Sequence, residues 1–567
     1  MDDSFVKAPI NIPKLSGFDK SHQNLLTSKC GTITPILIDE LIPGSKVNLK
    51  LALSAQLPPL ASDTYMRCSI KCEAFFVPFR LLAGSFESWF TDTSKRFSNY
   101  TAANGTAITP TATKGLLPVI GGIDASIAAD SGAMTAIVAV GGLFDYLGYK
   151  SNSLDFLKTS GIGISAMPAL AYHRVYHDWY RNSLVQQEVF LPPTGSYSLN
   201  PSPAGNATFA GCAPYLFFND NTGTGAGPYY VLSTKAMMEL ADGAYIYDLR
   251  QRNFGLDYFT TATPSPQQGS AEVVSFATSG SSGQFSIASL RAANSLQQFK
   301  ERNNLAGNLF VEQCFARYGI SPSDGIAQRS LYLGSAEYEL YTKGIYQQTD
   351  QASQGSNSNN PFGDQVGAQF GSARASGNNT LVSNFEAKEP GYLLVNATLV
   401  PRVTYSSGVH RRFTNYVGAG SLSDLANPIL QNVGPQPIYQ YELTGKGGTT
   451  PGIFGYTDRY ASFKTMEDEL HGILRDTQSL QSFALQRNVA SSASPTISNS
   501  FLQIPTTYLD QVLAVSSGVV GASYWMDCYF DYKVAQPLAK YSLPSLQDPA
   551  YEHGRTIVVN KGGSRIS

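Results

Sequence analysis

A mainly β fold, an antiparallel β-sandwich or jelly roll, is what this sequence predicts, on three observations. Stretches that alternate apolar and polar residues with period two recur near both ends of the chain, the mark of half-buried strands. No strand–helix alternation joins the two groups, so a sheet uniting residues 30–80 with 390–535 must pair antiparallel over long range. Charged residues are only 14% of the 567 and aromatic residues 11%, chiefly 32 Tyr and 30 Phe. Ordinary globular domains carry about 25% charge, and charge-poor, aromatic-rich surfaces are typical of faces buried against other proteins.

Taken in order, "GTITPILI" (31–38) is a short strand candidate. In "KVNLKLAL" (46–53), Val47, Leu49, Leu51 and Leu53 share one face and Asn48 and Lys50 the other. In "YMRCSIKC" (65–72), Met66, Cys68, Ile70 and Cys72 alternate with Arg67, Ser69 and Lys71. Pro78 stops this strand, and a loop carrying Phe79, Arg80, Leu81, Leu82, Phe86, Trp89 and Phe90 follows. Loops are usually polar and exposed, so these rings need a cover. The reading adopted is a second copy of the chain, with Phe79, Arg80, Phe86, Trp89 and Phe90 as subunit-interface residues. The other reading folds them onto the chain's own core.

"MPALAYHRVYHDWYRNSL" (167–184) is helical by spacing, with Tyr172, Val175, Tyr176, Trp179 and Tyr180 as its apolar stripe. Its polar face, with His173, Arg174, His177 and Arg181, reads as solvated or as an interface. "SLQQFKERNNLAGNLFVEQCFARYG" (295–319) is helical in two pieces, the second striped by Phe310, Cys314, Phe315 and Tyr318 and capped by Gly319. Residues 189–233 and 347–384 read as loops, the second a polar low-complexity tract. "YLLVNATLV" (392–400) is apolar on both faces and predicts a strand buried on both sides. "FLQIP" (501–505) and "DQVLAV" (510–515) are shorter strand candidates. In "YWMDCYFDYKV" (524–534), Tyr524, Met526, Cys528, Phe530, Tyr532 and Val534 oppose Trp525, Asp527, Tyr529, Asp531 and Lys533.

Catalytic signatures are missing: there is no GxSxG elbow, Walker loop or HExxH. "GTGAGP" (223–228) reads as a flexible turn. His173 and His177, at i and i+4 with Asp178 adjacent, can hold a metal given a third ligand, but Arg174 and Arg181 on the same face repel a cation. "MEDELHGILRD" (466–476) offers Glu467, Asp468, Glu469 and His471, paired carboxylates of the kind used in glycoside hydrolysis, yet without a sugar-stacking site it reads as a surface or interface turn. Cys68 and Cys72 are four residues apart in a strand, roughly 13 Å, too far for one disulfide or one metal, and read as core residues. No catalytic residue, cofactor or metal is expected.

A net charge of −2 and a pI near 6.3 argue against a chain that grips nucleic acid with its whole surface. The tail from residue 554 carries Arg555, Lys561 and Arg565 and no acidic residue. These three are candidate DNA contacts, with Tyr541 and Tyr551 as stacking platforms; packing on a neighbouring subunit is the competing reading. The start, "MDDSFVKAPINIPK", lacks the pattern of a secretory signal. "AMTAIVAVGGLF" (133–144) is too short and too glycine-rich to span a bilayer, so no membrane insertion is expected.

Six stretches together resemble the major capsid protein of microviruses, especially the gokushovirus branch. They are "FFVPFRLL" (75–82), "MPALAYHRVYHDWYRNSL" (167–184), "DYFTTATPSPQQG" (257–269), "VEQCFARYGISPSDGIAQRSLYLGS" (311–335), "GYLLVNATLVPRVTYSSGVHRRF" (391–413) and "FGYTDRYASFKTMEDELHGILRD" (454–476). Their order matches the family's, and the likeness spans about residues 15–540. The resemblance implies a single eight-stranded antiparallel jelly roll over residues 30–535, with long insertions holding short helices at about 100–390, an N-terminal arm (1–29) and a C-terminal arm (536–567). It implies a T=1 icosahedral shell, built through five-fold intermediates, around a circular single-stranded DNA phage genome. A surface protrusion is expected within 189–245. The implied partners are further copies of the chain, the packaged DNA, a small basic DNA-binding protein, an internal scaffolding protein, a DNA pilot protein and a host-cell receptor. Assembly is expected in the bacterial cytoplasm. A carbohydrate-binding β-sandwich and a glycoside hydrolase remain as alternatives.

Overall fold

A computed structural model describes residues 15–83, 86, 90, 117–120, 139–149, 164–190, 229–232, 240–272, 287–347, 369–415, 426–446 and 451–538, apart from residues 63, 241, 477 and 490–493. The strands are β1 (Ser16–Asp19), β2 (His22–Ser28), β3 (Thr34–Leu41), β4 (Lys46–Gln56), β5 (Cys68–Pro78), β6 (Leu117–Ile120), β7 (Ile164–Ser165), β8 (Tyr229–Leu232), β9 (Leu331–Glu339), β10 (Tyr341–Gln347), β11 (Gln369–Glu386), β12 (Gly391–Pro401), β13 (Gln436–Tyr439), β14 (Ile453–Thr457) and β15 (Tyr524–Gln536). The longer helices are α1 (Met167–Val175), continued by a π turn Tyr176–Tyr180, then α2 (Ile287–Ala306) and α3 (Phe310–Tyr318).

Two antiparallel sheets share the main core. In the first, β15 pairs with β4 from Trp525↔Gln56 to Ala535↔Lys46. The other edge of β15 carries β2 and β1, and β4 passes on to β11 and β10. The second sheet runs β3-β12-β5-β9. Alternation dictates what each presents: Val47, Leu49, Leu51 and Leu53 of β4 and Tyr524, Met526, Cys528, Phe530, Tyr532 and Val534 of β15 point inward. They meet Cys68, Ile70, Cys72 and Phe76 of β5 and Leu393, Val395, Ala397 and Leu399 of β12. Burial pushes the Cys68 thiol up to about 12; Cys68 and Cys72 are both free and buried, as core residues should be.

The second sheet is also covered on its outer face. Phe75, Val77 and Leu394 join Tyr172, Val175 and Tyr176 of the α1 region in a second core. That is why β12 is apolar on both faces: a strand between two cores has no solvated side.

Several elements differ from the sequence reading. The first 29 residues are not simply an arm, since β1 and β2 lie within them and pair along β15. Part of the tract read as a loop at 347–384 is β11, 18 residues long and hydrogen-bonded to β4 on one side and β10 on the other. The strand candidates at 501–505 and 510–515 are instead short helical turns, Asn499–Leu502 and Tyr508–Gln511. Ser498 caps the first by accepting the Phe501 amide at 3.3 Å. Residues 191–228, most of the segment expected to protrude, and the turn at 223–228 lie outside the described residues.

One ion pair locks the two cores together. Arg252 grips Glu73 of β5 with both terminal nitrogens, at 2.6 and 2.9 Å, and Tyr180 donates to the same carboxylate at 2.5 Å. Removing one member of a largely buried pair strands the other charge. Glu73→Gln is therefore expected to cost about 3 kcal/mol, the low end of the range for such pairs, read as a lower urea midpoint; an unchanged midpoint would contradict this.

Candidate subunit interface

The loop after β5 is largely accounted for within the chain. Phe79 and Phe86 are 7% and 6% exposed and belong to the second core. Phe79 packs edge-on to Phe86 and to Tyr392, with centroids 5.4 and 4.7 Å apart. Their cover is the chain's own second core, not a neighbouring copy. Arg80 donates to Glu389 at 2.6 Å and also contacts Gln328. Phe90 alone of the described interface candidates keeps its ring in solvent, 64% exposed beside Phe86. Trp89 lies outside the described residues.

The polar face of α1 is not solvated. His173 is fully buried; its Nε2 donates to the Ile246 carbonyl at 3.0 Å and its Nδ1 accepts from Arg250 at 3.0 Å. With both nitrogens engaged, it has no lone pair for a metal. Burial, followed by Arg250, holds its pKa well below the usual imidazole value, and burial pushes His177 down to about 4. Asp178 accepts from Arg174 at 3.0 Å and from the Ser330 amide at 2.8 Å, and Arg329 stacks 4.0 Å from the Trp179 centroid. These groups tie α1 to the segment before β9. Among the described residues, no group of three or more His, Cys, Asp or Glu is placed to hold a metal.

Among the described residues, the helical hairpin α2–α3 carries a run of uncovered apolar side chains. In most amphipathic helices the apolar stripe faces the core; here the attachment is polar. Asn304 donates to the Ser265 carbonyl at 2.6 Å, Lys300 to the Ser270 carbonyl at 2.9 Å, and Gln268 to Asn308 at 2.7 Å. The only buried side chains of α2 are Asn303 and Asn304, and α3 buries none. Ile287, Leu290, Leu296, Phe299 and Leu305 of α2 are all exposed. Ile287 and Leu296 are nine residues apart, on opposite sides of the helix, so no single face among the described residues covers both. The stripe on α3 continues the patch, with Phe310 and Phe315 each 64% exposed and Tyr318 74%.

Local chemistry makes this hairpin well formed nonetheless. Gly307 turns the chain at φ 100°. Glu312 reaches back to accept the Leu309 amide at 2.9 Å. Gly319 closes α3 in the left-handed conformation, its amide bonded to the Phe315 carbonyl at 2.9 Å. The sequence marked both helices and the Phe310–Tyr318 stripe, but not which way it points. The missed signal is α2 itself, whose apolar residues follow no single face.

A second feature lies where residues 403–413, 438–444 and 462–475 meet. Glu467 and Glu469, read from sequence as part of a surface turn, line a cleft there with Tyr405, His410, Phe413 and Glu442. Arg555, Lys561 and Arg565 lie outside the described residues. No helix among the described residues is long and apolar enough to cross a membrane.

Comparison with known proteins bears on what such surfaces serve. A family model described as capsid protein (F protein) matches residues 9–546. The chain is 23% identical to the capsid protein VP1 of Chlamydia phage 1, over 96% of this chain and 98% of that protein. It is also 23% identical to capsid protein VP1 of Bdellovibrio phage phiMH2K, over 96% and 97% of the two chains, and to that of Spiroplasma virus 4, over 93% and 94%.

Proposed function

The chain belongs to the phage capsid protein (F protein) family, and on that premise we propose that it closes into a T=1 icosahedral shell around a circular single-stranded DNA genome. It is a structural, non-enzymatic major capsid protein of the microvirus type, and its place is the virion. The observation that carries the assembly reading is the α2–α3 hairpin, fastened to its own body by polar bonds while its apolar side chains face out.

The strand order supports a jelly roll. Number β2, β3, β4, β5, β9, β11, β12 and β15 as strands one to eight. The first sheet then reads one-eight-three-six and the second two-seven-four-five, the order expected when two Greek keys wrap one sandwich. On this reading β10 extends the first sheet and β1 doubles its far edge; of the proposed C-terminal arm (536–567), Gln536 closes β15, paired with Ser16, and residues 539–567 lie outside the described residues.

Self-association follows from the family, and further copies cover the hairpin and Phe90. A small basic protein, an internal scaffold, a pilot protein, a host receptor and assembly in the host cytoplasm complete the proposal. The test is the mass of the purified chain: a T=1 shell holds about sixty copies in closed symmetry, on the order of 3.7 MDa for a 61.1 kDa chain. Discrete particles of that mass are expected, whereas a monomer at every concentration would contradict the reading.

Arg555, Lys561 and Arg565 are proposed to touch packaged DNA. Changing all three to glutamine is expected to leave shells intact, lower the fraction that retain genome in a density gradient, and flatten the salt dependence of DNA retention by about 2 in log–log slope. Unchanged retention and slope would end that assignment.

A further inference from the structure

The cleft beside residues 403–413 has a volume of about 300 Å³, and Tyr258, Phe259, Tyr405 and Phe413 are among the residues that line it. Its carboxylates are mostly partnered inside the chain. Glu442 accepts from Tyr258 at 3.1 Å and from the Tyr439 amide at 2.9 Å, with Arg411 3.7 Å away. Asp257, beside the lining residue Tyr258, accepts from Tyr405 at 2.7 Å and from the Thr260 amide at 2.7 Å. Glu469 lies 3.5 Å from both Arg412 and His471. The basic lining is engaged too: Arg475 donates to the Ser406 carbonyl at 2.9 Å and Arg411 to the Pro437 carbonyl at 2.6 Å.

Among these described carboxylates, Glu467 differs in having no cation against it, its hydrogen bond coming from its own backbone amide. Its side chain is only 9% exposed, and among the described residues its nearest basic atom is His410 Nε2 at 3.8 Å, too far for a hydrogen bond. His410 Nδ1 accepts the Arg412 amide at 3.1 Å, which leaves the proton of the neutral ring on Nε2. Burial, reinforced by Arg412, holds the His410 pKa below the ordinary imidazole value, so the ring brings no charge at neutral pH. Burial raises the Glu467 pKa; its own backbone amide works against this, and the carboxylates of Asp257, Glu469 and Glu442 add to the rise. The wall itself is built for close approach: at Gly408, φ is 116° and any Cβ would collide with the Glu442 carbonyl.

A nearly buried carboxylate without a cation costs stability until something supplies one. We propose that this cleft is a receptor for a single guanidinium or alkylammonium group, seated against Glu467 and faced by the four rings. A carboxylate and aromatic faces together are what such cations seek. The cation arrives either on an arginine or lysine of a second copy or as a free amine. The site rests on the cleft alone and holds whether or not the shell reading does.

The experiment is thermal unfolding of the purified full chain, titrated with butylammonium or ethylguanidinium chloride at millimolar concentration and compared with KCl at equal ionic strength. The wild-type midpoint is expected to rise saturably with either organic cation beyond the KCl response. Glu467→Gln is expected to unfold at a higher temperature without ligand, because it no longer buries a charge, and to lose the cation-specific rise. Ligand-observed NMR on the wild type, with butylammonium signals broadened by the protein and restored by ethylguanidinium, tests the site without any variant. A wild type that answers organic cations no differently from KCl and leaves those signals sharp overturns the site. So does a Glu467→Gln chain that is less stable yet keeps the cation response, the result of a merely structural carboxylate. Assembled particles separate the two sources: no response in particles, with a response in free subunits, identifies a neighbour's side chain, and a response in both identifies a free amine.

Discussion

Changing Phe310 and Phe315 together to glutamate is expected to leave a folded, soluble chain that forms almost no particles. Both rings are 64% exposed and α3 buries no side chain, so the fold loses little when they go. In an interface each ring contributes about 1.5–3 kcal/mol when fully buried, and the carboxylates put in their place must be desolvated. A loss of about 3–5 kcal/mol per contact raises the concentration needed for association on the order of a hundredfold or more. Because association itself costs about 4–15 kcal/mol in lost freedom, a contact of this size has little surplus to give up. Sedimentation of the variant is expected to show free subunits with an unchanged circular dichroism spectrum. Particles at wild-type yield would sink the interface role of the hairpin.

Phe79→Asp and Phe86→Asp are expected to behave in the opposite way. Both rings are buried among Tyr172, Val175 and Val77 in the second core. Truncating a buried phenylalanine alone costs about 3–5 kcal/mol, and an unpaired carboxylate at the same place adds several more, comparable with the whole stability of a domain. These variants are expected in the insoluble fraction on expression. A soluble chain with a native spectrum that fails only at assembly would return these residues to an intersubunit surface.

That contrast shows what was legible in the sequence. Period-two alternation in β4, β5 and β15 set their inward faces correctly, because strand geometry is local. The apolar content of the loop after Pro78 was equally plain, but its cover, Tyr172 to Tyr180, lies some 90 residues further on, and nothing local marks that meeting. β11 was missed for a related reason. "QFGSARASGNNTLVSN" holds few β-branched residues, and its extended form rests on ladders to β4 and β10 on its two sides. Buried Ala373 and Ala375 alternate there, too small to stand out as a pattern. The polar face of α1 misled because a buried polar network and a solvated face have the same spelling until the partners, Arg250 and Ser330, are in place. In the cleft, Glu467 was singled out by its neighbours in sequence, whereas its burial depends on segments from three parts of the chain.

The most direct test of the central claim, that sister molecules cover the α2–α3 hairpin, is amide hydrogen exchange of residues 287–318 in free subunits and in particles. The residues of the first turn of α2 are exposed, and the described bonds to the body gather near its other end, at Lys300 and Asn304, so the amides of its first turns should exchange fast in the free subunit. Strong protection of those same amides in the particle, with β4 and β15 slow in both states, is the predicted result. Equal exchange of 287–318 in the two states would contradict the account.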